Sequence, residues 1–249
     1  MSLRRTAYFN GIAFDELGLI ITRRPVPPVR ANKRKTISIP DGPVIIDDTK
    51  TKDPVQFSIE CTLTEPEKLR LIYAMVQDDG ILILPYEQDK YYYGTLTVST
   101  PENIIMYWNK ITFTMTAEPY AYAVDNADIV CELATSNWWK WTRVTNNGTA
   151  DCLPVYQVQA SDSENFDITT WKVNSDDSME QIAGCRVHLN GAETITINTE
   201  NRIVLDSQNR IILDRVEETF ADLKLTPGLC EIRVSNCEAL TIRKNERWY

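Results

Sequence analysis

The sequence predicts a mainly β protein of two domains. Residues 1–124 form a β-rich N-terminal domain with one α-helix, and residues 125–249 a C-terminal β-sandwich. Three observations predict this. Stretches such as VQFSIECTL (55–63) and KITFTMTAEPYAYA (110–123) alternate apolar and polar residues, as strands buried on one face do. Leu69, Ile72, Tyr73 and Val76 recur at i, i+3, i+4 and i+7, which marks a helix. From residue 160 onward, short alternating runs and turn residues follow each other at sandwich spacing.

Residues 8–22 read as two short strands around the Asn10-Gly11 turn, with Gly18 as a second break. Residues 23–35 carry six positive charges and three prolines. Pro25, Pro27 and Pro28 lack backbone donors, so the segment is an extended arm, a loop or an edge strand. It fits either an interface arm or a solvated loop. TISIPDGPVII (36–46) reads as strand, Asp41-Gly42 turn and strand, and Asp47 to Asp53 as a polar connection.

The helix is expected to start at a capping box of Thr64 and Glu67, with Pro66 in its first turn, and to be closed by Gly80. ILIL (81–84) and KYYYGTLTV (90–98) then pair across a polar turn. Within the second strand, Tyr91 and Tyr93 share one face and Tyr92 takes the other. One face packs on the core, and the other either offers a large, stiff contact surface of the kind found at protein interfaces or serves cross-strand packing within the domain.

The acidic AVDNAD (123–128) marks the domain boundary. After the IVCEL strand comes Asn137-Trp138-Trp139-Lys140-Trp141. Trp138, Trp139 and Trp141 could form a glycan platform, a core plug or a domain contact. RVTNNGTADCLPVYQVQ (143–159) reads as strand, turn and strand. FDITTWKV, CRVHL, ETITINT, IRVSN and ALTIRK supply the remaining strands. The repeat Asn201–Asp206 and Asn209–Asp214 fits two arms of a hairpin across Ser207-Gln208, while VEETFADLKL (216–225) fits helix or strand.

Charge and composition narrow the function classes. The net charge is −9, and its distribution is uneven. The first 124 residues carry 14 Lys/Arg against 15 Asp/Glu, and the rest 12 against 20. An acidic C-terminal half repels nucleic acid at long range. No apolar run reaches the ~18 residues of a membrane span. No apolar segment follows Arg4 and Arg5 as in a signal peptide, so a protein made and kept in the cytoplasm until release is expected.

Six cysteines lack the close Cys/His pairs of a zinc site, and buried free thiols are expected. Any Ser–His–Asp or Cys–His site would have to use His188, the sole histidine, in an alternating strand where a structural role fits. No nucleotide or calcium motif occurs. Neither a catalytic residue, a metal nor a cofactor is expected, although a pair of carboxylates acting on glycans is compatible with the composition.

The ordered series FNGIAFDELGLIIT, Cys61-Thr62-Leu63, the helix, Gly80 with its apolar strand, DKYYYGTLTV, and the strand ending at Glu118-Pro119-Tyr120 resembles the distal tail protein (Dit) family of long-tailed, non-contractile phages and prophages. Asn147-Gly148-Thr149 with Pro154 looks like the opening of that family's galectin-like or carbohydrate-module-like sandwich. The resemblance implies a structural virion component of the tail tip, or baseplate. It implies a homo-hexameric ring, built by the N-terminal domain, that joins the tail-tube protein to the tail-tip hub protein and to receptor-binding proteins. DNA would pass through its channel without sequence-specific binding. Arg23, Arg24, Tyr91, Tyr92 and Tyr93 are the candidate ring or partner contacts. The alternative is a carbohydrate-binding module for host-surface glycans using Trp138, Trp139 and Trp141.

Overall fold

A computed structural model describes residues 6–27, 32–38, 44–99, 109–136, 139–161 and 164–249. The chain divides into two compact units, 1–124 with Tyr249, and 125–248.

In the first unit the elements are β1 (Tyr8–Phe9), β2 (Ile12–Ala13), β3 (Leu19–Arg23), β4 (Asn32–Ser38), β5 (Val44–Lys52), β6 (Val55–Leu63), α1 (Leu69–Met75), β7 (Gly80–Leu84), β8 (Glu87–Val98) and β9 (Asn109–Ala123). Seven of these strands form one antiparallel sheet in the order β2-β1-β7-β8-β9-β6-β3, and β4 and β5 pair separately. The alternation seen in β6 becomes burial directly: Val55, Phe57, Ile59, Cys61 and Leu63 are buried. Phe113 and Met115 of β9 and Leu96 of β8 face the same interior.

Only the five residues Phe14 to Gly18 connect β2 and β3, yet these strands are the two edges of the sheet. Six strand spacings of about 4.8 Å would set flat edges about 29 Å apart. The six steps from Ala13 to Leu19 span at most about 21 Å, and a 3-10 turn at Asp15–Leu17 shortens them further. The sheet must therefore curl so that its edges approach. This strap drives Phe14 into the interior, where its ring lies 5.0 Å from Phe113. Gly18 ends the strap at φ 69°, a left-handed conformation natural to glycine.

The helix differs from its expected form. Thr64 does not cap it; its hydroxyl donates to Gly18 O at 2.9 Å and thereby ties β6 to the strap. Pro66–Lys68 is a 3-10 turn, and α1 is only seven residues, burying Ile72 and Met75. Gly80 opens β7 rather than closing the helix. It is small because Asn10 fills the space: a Cβ there would sit 2.3 Å from Asn10 Oδ1. Asn10 both donates its N–H to Ile81 O and accepts from Ile81 N, each at 2.9 Å. Residues 47–52, expected as a connection, belong to strand β5, whose register sets Arg34 against Asp48 and Lys35 against Asp47. A two-stranded ribbon needs no alternating apolar face, so polarity did not mark it. The Asp41-Gly42 turn lies outside the described residues.

The second unit contains β10 (Ile129–Cys131), β11 (Ala134–Ser136), β12 (Trp139–Asn146), β13 (Val155–Ala160), β14 (Asn165–Val173), β15 (Met179–His188), β16 (Thr194–Asn198), β17 (Ile203–Leu205), β18 (Val216–Glu217), β19 (Gly228–Ser235) and β20 (Cys237–Arg243). Five form the sheet β10-β20-β13-β16-β17 and six the sheet β11-β12-β19-β14-β15-β18. Tyr156, Val158, Ile195 and Ile242 from the first meet Phe166, Ile168, Ile232 and Val234 from the second in one continuous core. This is a β-sandwich. Tyr156 is fully buried and donates its hydroxyl to Leu223 O at 2.8 Å, so its polar end is satisfied.

Asn146 organises the turn that follows β12. Its buried amide donates to Ala150 O and Leu225 O, both at 3.0 Å, and its Oδ1 accepts from Gly148 N at 2.8 Å. Asn146→Ala strands two carbonyls and one N–H, and is expected to destabilise the protein by about 2 kcal/mol. A urea titration followed by tryptophan fluorescence checks this; an unchanged midpoint would count against the assigned role. The tandem repeat is a tight hairpin, as its spacing suggests. Buried Asp206 accepts from the backbone N–H groups of Gln208 and Arg210 at the turn, and Leu205 bridges to Ile211. The ambiguous 216–225 stretch resolves into β18 and a 3-10 turn at Phe220–Asp222. Among the described residues no helix is long and apolar enough to cross a membrane.

Candidate interaction faces

The convex face of the curled sheet is built from the residues that alternate with its core. The expected tyrosine triad is split here. Tyr91 stacks on Tyr122 across the β8–β9 pair at 5.5 Å. Tyr93, opposite Ile81, is 41% exposed, and Ile81 is 40% exposed. Tyr92 is a core residue at 3% exposure, not a contact residue. Its ring meets Phe57 edge-on at 5.3 Å and its hydroxyl donates to Glu87 at 2.8 Å. Strand alternation dictates this opposition. Farther along the same face, the register aligns Thr95 with Thr116, Thr97 with Thr114 and Glu60 with Thr112, a strip rich in hydroxyls.

Arg23 ends the edge strand β3 and Arg24 follows it. Arg23 reaches Glu60 at 3.4 Å, where Lys110 also arrives at 3.2 Å, and the two cations hold the Glu60 carboxyl below its ordinary value, Lys110 contributing more. Arg24 lies over the Tyr86 ring at 4.0 Å, and Tyr86 donates to Pro25 O. Burial pushes the Tyr86 phenol up. Both arginine heads remain exposed, where ion pairs of this kind contribute little stability.

In the second unit, Trp139 and Trp141 fall on the outer face of the six-stranded sheet, two residues apart on β12. Trp138 lies outside the described residues. The strands beside β12 complete this face with residues that no sequence motif announces. Glu231 is only 3% exposed, because Arg143 (3.3 Å) and Arg233 (2.8 Å) close over it. Arg143 lies over Trp141 and Arg233 over Trp171, with cation-to-ring distances of 5.6 and 4.6 Å. Asp167 grips Arg186 at 2.6 Å and accepts from Ser235 at 3.3 Å. His188 places Nε2 2.9 Å from Glu217. Their pairing follows from the register, which sets Asp167 opposite Arg186 and Arg186 opposite Glu217.

No protein-family model matches the sequence, and no curated protein matches it. Solved structures do. The crystal structure of the SPP1 Dit (gp 19.1) protein, described as a paradigm of the hub adsorption apparatus in phages infecting Gram-positive bacteria, superposes with a TM-score of 0.71 at 12% identity. The match covers 95% of this chain and 97% of that one. The chain has the Dit fold. The likeness expected from the order of sequence elements is thus present at the level of the fold, and it extends through both units. A phage p2 baseplate structure in its activated conformation is also similar, more loosely, with a TM-score of 0.47, 7% identity and coverage of 95% and 96%.

Proposed function

We propose that this chain is a structural component of a phage tail tip, a Dit-type baseplate hub protein without catalytic activity. Six copies close a ring through the first unit. The ring links the tail tube to the tail-tip hub and to receptor-binding proteins, and surrounds the channel through which DNA leaves. The observation that carries this reading is the Dit fold, shared over nearly the full length of both chains. The surface of the first unit supports it. Cyclic rings use heterologous interfaces, which need stiff contact patches away from the core. The exposed Tyr93 and Ile81 and the stacked Tyr91–Tyr122 pair supply one. The hydroxyl-rich strip, on a unit with 14 Lys/Arg against 15 Asp/Glu, suits a wall past which DNA slides without being held.

Native mass spectrometry and negative-stain imaging of the purified full chain test this. The expected result is a hexamer with ring-shaped particles, shifted to monomers by Tyr93→Arg while folding is preserved. A chain that stays monomeric alone and also fails to form rings when mixed with tail-tube and hub proteins would sink the reading.

A further inference from the structure

The geometry points to a saccharide-binding site on the outer face of the six-stranded sheet, in a depression of about 280 Å³ walled on one side by Trp139. The site goes beyond the proposed hub role and does not depend on ring assembly.

Gly184 lines the depression, and the lack of a side chain there leaves room. Its neighbours Thr169 and Gln181 stand so near that a Cβ at position 184 would lie 3.2 Å from Thr169 Cγ2 and 3.3 Å from Gln181 Nε2. A side chain there would fill the floor. The β14–β15 register also slips between Thr170 and Trp171, and such a bulge re-aims the side chains beside it. Apart from Cys185 the remaining wall is polar: Asp167, Arg186, Glu217 and Glu218 line it with Thr169 and Gln181.

Three features select the ligand class. The first is the aromatic wall. Trp141 and Trp171 each carry an arginine on the ring, whereas Trp139 lines the depression itself. A single flat indole suits stacking against the C–H face of a pyranose. Enclosing a quaternary ammonium group takes a cage of several rings. The second is the polar chemistry. Carboxylate, guanidinium and amide groups are planar and forked, and so match vicinal hydroxyls in pairs. Asp167 and Arg186 are pre-oriented by their mutual ion pair, and Asp167 again by Ser235, which lowers the ordering cost of binding. The third is charge. Three carboxylates against one guanidinium disfavour an anionic sugar or a phosphate polymer. The ligand class is an uncharged hexopyranose, such as a residue of a cell-surface polysaccharide.

The test is calorimetry and saturation-transfer NMR on the full chain with five probes: glucose, galactose, N-acetylglucosamine, N-acetylneuraminic acid and choline. At least one of the three neutral sugars is expected to bind. Trp139→Ala and Gln181→Ala are each expected to weaken it about tenfold or more, equivalent to about 1.4 kcal/mol, while Trp141→Ala, outside the depression, leaves it unchanged. Gln181 is exposed, so its variant keeps the fold even if Trp139→Ala does not. No binding by any neutral sugar overturns the proposal. So does tighter binding of choline or N-acetylneuraminic acid, or affinity that survives both Trp139→Ala and Gln181→Ala. Ring formation measured on the same variants stays intact if the hub role holds, so the two readings fail separately.

Discussion

Alanine at position 94 is expected to cost the first unit about 3 kcal/mol or more of stability. Gly94 lies in β8 opposite Ala117 of β9. A Cβ added there would fall 2.2 Å from Thr116 O and 2.8 Å from Ala117 Cα. Both obstacles are backbone, so no side chain can rotate away. Both strands are interior to the sheet, with β7 on one side and β6 on the other, so neither can swing outward. The ladder must open locally or the curl must change. The near-UV circular dichroism of the tyrosines, concentrated in this unit, should lose its cooperative thermal transition or shift it far down. A Gly94→Ala protein with the parent's transition would show that the sheet yields more easily than its packing indicates.

The second large effect is with pH. The second unit holds Cys131, Cys152, Cys185, Cys230 and Cys237, all buried except the half-buried Cys131, and all free thiols. Burial pushes Cys152 and Cys185 up to about 12, Cys131 and Cys237 to about 11, and raises Cys230 as well. The buried Tyr156 phenol is raised well above its ordinary value for the same reason. Unfolded thiols titrate near 8.5. Below that pH both states keep their protons and stability is level. Above it the unfolded chain releases protons that the folded chain retains, so stability falls as pH rises, until the folded thiols themselves titrate. Each thiol contributes a slope of about 1.4 kcal/mol per pH unit, and folded domains have only about 5–15 kcal/mol to lose. Five of the six tryptophans, all but Trp108, belong to this unit, so urea titrations followed by tryptophan fluorescence report on it. The midpoint should hold from pH 7 to 8 and fall steeply by pH 10.5. A level midpoint across that range would mean the thiols are less buried than described.

Much of the fold is legible in the sequence, wherever a strand has one wet and one dry face. β6, β9, β14 and β16 show their alternation because the side chain alone reports the burial. The Asn10-Gly11 turn and the hairpin at Asp206 are legible because the turn chemistry is local. The helix start, by contrast, depends on a partner elsewhere: Thr64 has cap spacing but its hydroxyl is taken by Gly18, 46 residues away. Gly80 has the look of a helix stop, but is small for the sake of Asn10, 70 positions earlier in the chain. Ribbon β4–β5 is legible only where TISIPDGPVII alternates; its continuation through residues 47–52 is polar in sequence and carries no such mark.

The interaction faces divide in the same way. The alternation of Tyr91, Tyr92 and Tyr93 is visible in the sequence, but which parity faces inward is set by Phe57 on another strand. Trp139 and Trp141 stand out by composition. Their neighbours Asp167, Gln181, Arg186, Glu217 and Glu231 come from four further strands, brought side by side only by sheet order. The one signal available beforehand was Gly184, an isolated glycine within a strand pattern, which marks a bulge or a close approach.

The strap from Phe14 to Gly18 also sets an order in time. β1 finds its partner in β7 at Leu82 and Ile83, and β3 finds its own in β6 at Glu60 to Leu63. β1 and β2 can form their own hairpin at once, but β1 waits for β7 (Phe9 with Leu82) and β3 for β6 (Leu19 with Leu63), and such long-range pairing is slow. The strap is thus synthesised before the strands that hold its two ends. Until then the growing chain carries two unpaired sheet edges, the condition in which neighbouring nascent copies are most prone to join incorrectly.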